Sequence, residues 1–126
     1  MSHSVRYDEE LRLTEIVYRG KVNTSALKKG AAEAAQVARD HDCFLILIDC
    51  RESALSLSTM DIYDLPKKFS HVLSKLGLEV RRFKRALVVP NDMVEYSFLE
   101  TVSQNRGQNA MIFRDIDEAK AWLSGK

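Results

Sequence analysis

The chain has 126 residues, 45% of them hydrophobic and 29% charged, with a formal net charge of +1. That suits one globular domain with its own core, and nothing in it demands a nucleic-acid or acidic partner. No apolar run approaches the roughly 20 residues of a membrane helix, and MSHSVRYDEELR lacks a signal core, so a cytoplasmic protein without a transmembrane segment is expected.

In chain order, a short strand around residues 4–7 turns at DEE into LRLTEIVYRGKV. There Leu11, Leu13, Ile16 and Tyr18 make a half-buried strand with a slip near Thr14. NTSALKKGAAEAAQVARDHD predicts a helix. Asn23, Thr24 or Ser25 caps it, and Ala26, Leu27, Ala31, Ala34, Ala35 and Ala38 give it a face of mostly small side chains. Gly30 weakens that helix by about 1 kcal/mol relative to alanine, so its place there points to tight packing against a sheet. FLILID, residues 44–49, is apolar at consecutive positions, as a strand covered on both faces is. A long loop then leads to a helix over residues 60–76, with Ile62, Leu65, Phe69, Val72, Leu73 and Leu76 at spacings of three and four. Pro66 sits near its start and Gly77 stops it. Residues 86–89 form a buried strand closed by Pro90. NDMVEYSFLETVSQNRG is a helix with an Asn or Asp cap and a Gly107 stop, NAMIF a strand, and RDIDEAKAWLSGK a last helix capped by Asp115 or Asp117.

The order β-β-α-β-α-β-α-β-α predicts an α/β fold: a four- to five-stranded mixed, mostly parallel sheet flanked by helices, with an antiparallel first pair. Sites in such sheets gather beyond the carboxyl ends of the strands. That rim is expected to hold residues 49–59, 90–95 and 114–117.

Several groups on or near this rim have chemical potential. Asp49, ending a buried strand, either orients a ligand or proton, or accepts backbone N–H bonds and shapes the turn. Cys50 is a nucleophile only if a base activates it, and none of His3, His41 and His71 falls on the rim; a half-buried thiol is the plainer expectation. Cys43 and Cys50 flank an extended run of six residues, too long a span for a disulfide, so both are expected reduced. Ser53, Ser56, Ser58 and Thr59 form a hydroxyl-rich loop, either a phosphorylation switch at a helix N-terminus or simply its cap. RRFKR, residues 81–85, reads as a solvated connection, not a nucleic-acid footprint. Tyr63 and Phe69 on the 60–76 helix are candidates for lining a ligand pocket or a dimer surface, beside their ordinary role in a core. The glycine-rich phosphate loops and the Cys/His spacings of zinc sites are absent, so no cofactor or metal is expected.

LILID followed by a hydroxyl loop and an amphipathic helix, then KRALVVP, then FLETVSQNRGQNAMIFRDIDEAKAWL, resembles the SpoIIAA-like family, a STAS-related group of small α/β proteins, over roughly residues 5–124. The sharpest part is the ending, with Phe113, Asp115, Glu118, Ala119, Trp122 and Leu123. The resemblance implies a mixed sheet flanked by helices, related also to lipid-binding folds of the CRAL-TRIO type. STAS domains proper are anti-sigma-factor antagonists that bind a partner kinase and are switched at a serine in a D-S-S-G turn after the central strand. By position Ser58 matches that serine best and Ser56 second; in LSLSTM the aspartate and glycine of the motif are missing.

Three functions therefore stand side by side. One is a non-catalytic regulatory or protein-interaction module whose rim, Asp49, Ser56, Ser58 and Thr59, meets a protein partner. The second is a carrier or sensor of a small apolar or anionic ligand held between the 60–76 helix and the sheet. The third is an enzyme using Cys50 or Asp49. A homodimer through the early edge strand or the 60–76 helix fits the sequence as well as a monomer does.

Overall fold

A computed structural model describes residues 2–90 and 94–125. Five strands form one sheet in chain order: β1 (Ser2–Asp8), β2 (Leu13–Val22), β3 (Leu45–Leu55), β4 (Lys84–Val88) and β5 (Asn109–Phe113). β1 pairs antiparallel with β2, and the remaining neighbours are parallel. Helices α1 (Thr24–His41), α2 (Thr59–Lys75) and α3 (Val94–Asn105) connect the parallel strands, and α4 (Ile116–Leu123) follows the last. Each crossover steps in the same direction along the sheet. With a single handedness, that places α1, α2 and α3 on one face. α4 has no further strand to reach and closes over the other.

The core divides accordingly. On the three-helix face Ile16, Tyr18, Ile46, Cys50 and Leu87 meet Ala34, Ala35, Phe69, Leu73 and Tyr96. On the α4 face Leu13, Leu47, Ala86 and Val88 meet Ala119 and Leu123. β3 and β4 are covered on both sides, which is why FLILI and ALVV are apolar at every position. Local signals set the helix ends. Asn23 caps α1 by accepting the Ala26 N–H at 2.9 Å, and Asp115 caps α4 through the N–H groups of Asp117 and Glu118. Gly77 and Gly107 take φ of 73° and 76° just beyond α2 and α3. The cap expected at Asn91 or Asp92 lies outside the described residues.

α1 sits unusually close to β2. Ala26, Gly30, Ala34, Ala35 and Ala38 are its buried residues, and a Cβ placed on Gly30 would lie 2.1 Å from the Tyr18 hydroxyl. The glycine therefore serves the close approach that its cost to the helix suggests.

The region after Asp49 differs from the sequence expectation. β3 does not end there; it runs six residues further, and Arg19, Gly20, Lys21 and Val22 of β2 pair with Glu52, Ser53, Ala54 and Leu55. The long loop shrinks to residues 56–58. The register moves from Val17↔Asp49 to Arg19↔Glu52, so Cys50 and Arg51 together oppose Tyr18 in a β-bulge. Polar residues CRES conceal this extension because only β2 covers it: β4 stops at Val88, level with Asp49.

Candidate functional site

Asp49 lies mid-strand on the α4 side of the sheet, beside the bulge. Its Oδ1 accepts the Arg51 backbone N–H at 3.1 Å and the Arg51 Nε–H at 3.0 Å; its Oδ2 accepts from Nη2 at 2.8 Å. Burial alone would raise its pKa, but the hydrogen bonds and charge of Arg51 outweigh it and hold the carboxyl below its usual value. The carboxylate thus holds the bulge in shape. Two further ion pairs share this face, Arg6–Glu15 at 2.8 Å and Arg19–Glu52 at 3.1 Å.

Cys50 points the opposite way, into the three-helix core, at 3% exposure. Burial pushes its thiol up to about 12, against smaller lowering effects from hydrogen bonding to Ser53 and Tyr96. No histidine or carboxylate hydrogen-bonds to it among the described residues. A thiol so placed stays protonated and unreactive near neutral pH. Ser53, expected in the hydroxyl loop, is buried instead: its Oγ–H donates to the Cys50 carbonyl at 2.9 Å and lies 3.2 Å from the Tyr96 hydroxyl. The bulge carries Ser53 onto this face, a shift that strict alternation cannot show.

The remaining rim residues gather at the β3–α2 connection. Ser56 is exposed, and its N–H donates to the Val22 carbonyl at 2.8 Å. Ser58 is the N-cap of α2. Its Oγ accepts the Asp61 N–H and the Asp61 carboxylate accepts the Ser58 N–H, both at 3.1 Å, closing a capping box. Thr59 is exposed in the first turn. Met60 and Tyr63 follow one turn apart, 67% and 50% exposed. Tyr63 points outward, with the Arg106 guanidinium 5.2 Å from its ring, and takes no part in the internal cavity.

Phe69 does reach that cavity. The space lies between the sheet and α1, α2 and α3, measures about 80 Å³, and is walled mainly by Ile46, Leu65, Phe69, Leu87, Tyr96 and Leu99. Arg85 lines it too. This arginine belongs to the RRFKR run, which is solvated as expected at Arg81 and Arg82 but not beyond: Phe83 is buried and Lys84 and Arg85 are half-buried, with Arg82 4.2 Å over the Phe44 ring, Lys84 4.3 Å over Trp122, and Arg85 4.2 Å over Phe69. Arg85 also donates through Nη2 to the Gln108 Oε1, and Gln108, 5% exposed, donates to the Pro66 carbonyl at 2.8 Å. Burial brings Arg85 down to about 10.

Among the described residues no cluster of three or more His, Cys, Asp or Glu side chains is placed to hold a metal ion, and no helix is long and apolar enough to cross a membrane.

No protein-family model matches the chain, and no curated protein matches it significantly. Solved structures do, among them these two. The anti-sigma factor antagonist SpoIIAA in its unphosphorylated form aligns over 99% of this chain and 100% of its own, with a TM-score of 0.56 at 11% identity. An uncharacterised DUF3478 protein from Shewanella loihica PV-4, described as having a SpoIIAA-like fold, aligns over 97% and 92%, with a TM-score of 0.57 at 18% identity. The five-stranded mixed sheet and its four helices, as described, are thus the SpoIIAA-like fold.

Proposed function

We propose that the protein is a non-catalytic regulatory module that docks a protein partner at the β3–α2 connection. The observation that carries this is the pair Met60 and Tyr63, two large apolar side chains displayed side by side beside Ser58 on the first turns of α2. Single exposed apolar residues are ordinary; an adjacent thioether and phenol ring held by a closed capping box are a preformed contact. Methionine and tyrosine are also enriched where proteins meet. The structural neighbour named an anti-sigma factor antagonist acts on another protein, and the shared fold supports the analogy without establishing it. Ser56 and Thr59 border this surface, whereas Asp49 lies six residues before the end of β3 and takes no part in it.

Ser58 is the switch in this proposal. A phosphate there brings about −1.5 to −2 charges against the Asp61 carboxylate that now accepts the Ser58 N–H. Repulsion opens the capping box and re-aims the turn that presents Met60 and Tyr63. A photo-crosslinking residue at position 63, compared with one at exposed Lys29 on α1, tests the docking surface in cells. A discrete adduct at 63 that disappears with Met60→Asp supports it; equal labelling at both positions, or none at 63, counts against it.

A second reading is a carrier or sensor of a small apolar or anionic ligand, with the space between α2 and the sheet as its candidate site. At about 80 Å³ that space falls well below the roughly 300 Å³ of pockets for drug-sized ligands, which counts against every occupant but one of few atoms. Native mass spectrometry of the purified protein tests for a retained molecule.

A further inference from the structure

We propose that the cavity binds a small monocarboxylate, with its charged end on the Arg85 guanidinium and its short apolar tail among Ile46, Leu65 and Leu87. This rests on the second, ligand-binding reading above and is independent of partner docking. Arg85 is a cation on the wall of an apolar space. Among the described residues no carboxylate lies within ion-pair distance of it; its partners are the neutral Gln108 Oε1 and the Phe69 ring. Arg85 is half-buried, and a charge partly withdrawn from water without a counter-charge carries a cost to the fold. An arginine kept there, and held by a buried glutamine that is itself tied to the Pro66 carbonyl, is positioned for an anion that arrives from outside.

The chemistry of the wall narrows the class. Gln108 engages Nη2 of a planar fork with five N–H donors, which leaves donors for the two oxygens of a carboxylate. One guanidinium balances one negative charge. Glu100, also on the wall, has a carboxylate oxygen accepting the Ile112 N–H at 2.7 Å; its charge opposes any anion, and a dianion such as phosphate about twice as strongly as a monocarboxylate. Lys28 and Lys68 lie where the lining meets the surface and favour the entry of an anion. About 80 Å³ is roughly half of the ~150 Å³ apolar cavity that holds benzene, so the inner space takes about three to four heavy atoms and the rest of a short ligand extends towards the open end. A short-chain fatty acid satisfies charge, shape and size together.

The test titrates the intact protein with sodium butyrate, with sodium chloride and 1-butanol as controls, reading the methyl resonances of Ile46 and Leu87. Saturable shifts with a Kd of order 1 mM are expected for so small a ligand, with no response to chloride. Arg85→Met is expected to weaken butyrate at least tenfold. Because that variant alters a packed residue, Ala110→Val provides a second arm: Ala110 lines the same cavity and pairs in register with Arg85, so added volume there expels the ligand while the arginine stays. Butyrate that gives no saturable shift, that is matched by chloride, or that binds both variants unchanged overturns the proposal. Saturable butanol binding without butyrate binding would overturn the carboxylate assignment and leave the ligand reading standing; binding of neither ends both.

Discussion

Replacing Gly30 by alanine sets two opposed effects of known size against each other. On an open helix face the change stabilises by about 1 kcal/mol, because alanine restricts the unfolded chain and suits the helix. Here the new methyl would sit 2.1 Å from the Tyr18 hydroxyl, 2.9 Å from Cζ and 3.2 Å from Cε1. Tyr18 is 2% exposed and its hydroxyl faces the Leu27 carbonyl of the same helix at 3.4 Å, so the ring has little room to retreat. Either α1 lifts from the sheet or the ring tilts into the cavity that it lines. Overpacking of this kind costs about 1–3 kcal/mol, and so short a contact belongs at the upper end. The net expectation is a loss of about 2 kcal/mol, read as a lower urea midpoint at unchanged slope. Tyr18→Phe removes the atom responsible for the closest contact, so the double variant is expected to recover about 1 kcal/mol relative to the sum of the single changes. A Gly30→Ala protein more stable than the parent, or strict additivity in the cycle, would refute the argument that α1 is held against β2 at this glycine.

Other expectations follow from single residues. Ser58→Ala removes the α2 cap and lowers stability by about 1 kcal/mol in urea melts, whereas Ser58→Asp, which keeps an acceptor there, costs much less. Met60→Asp and Tyr63→Asp are expected to change stability by no more than about 0.5 kcal/mol, as exposed sites do, and Met60→Asp abolishes the crosslink from position 63. The Cys50 thiol is raised from 9.0 to about 12, so its contribution to stability is complete below pH 9 and is lost as pH rises towards 12, where the unfolded thiol ionises and the folded one resists. Alkaline urea melts of Cys50→Ala should therefore lose less stability over that window than the parent; an identical alkaline slope would contradict the burial of the thiol. Asp49, with its pKa lowered, works in the other direction: its contribution is present above its unfolded value and fades as acid protonates the folded carboxyl, so Asp49→Asn should flatten the acid limb of a pH–stability curve.

The architecture was legible because it rests on repeated, local signals. Consecutive apolar residues in FLILID and ALVV announce strands covered on both faces. Asn23, Asp115, Gly77 and Gly107 mark helix ends by hydrogen bonding and backbone conformation that involve only near neighbours. Gly30 was informative for the same reason: a residue that weakens its own helix is tolerated where something else requires it. What the sequence concealed are consequences of long-range pairing. The extension of β3 from Cys50 to Leu55 depends on four residues of β2 more than thirty positions away, and its polar composition reflects a single covering strand. The bulge then reverses which of CRES face inward, so Ser53 looked like part of a hydroxyl loop although it hydrogen-bonds in the core.

The same distinction explains why the site was only half visible. Ser58 could be read as a cap from Ser58 and Asp61 alone, since a capping box spans only four residues. Whether Met60 and Tyr63 pack or protrude depends on where α2 meets α1 and α3. Ile62, Leu65, Phe69 and Leu73 take the buried stripe, and at 100° per residue Tyr63 falls outside it, where Arg106 from the end of α3 reaches its ring. RRFKR shows the strongest override. Of five residues that look like surface charge, Arg81 and Arg82 do stay exposed, but the other three turn inward at the start of β4: Phe83 between Phe44 and Phe69, Lys84 on Trp122, Arg85 on Phe69. Long cationic side chains can cover apolar surface with their stems while their heads find partners. At Arg85, which is half-buried, the head's partners are a neutral amide and a ring face, with no carboxylate among them, and that is what distinguishes the cavity from ordinary imperfect packing.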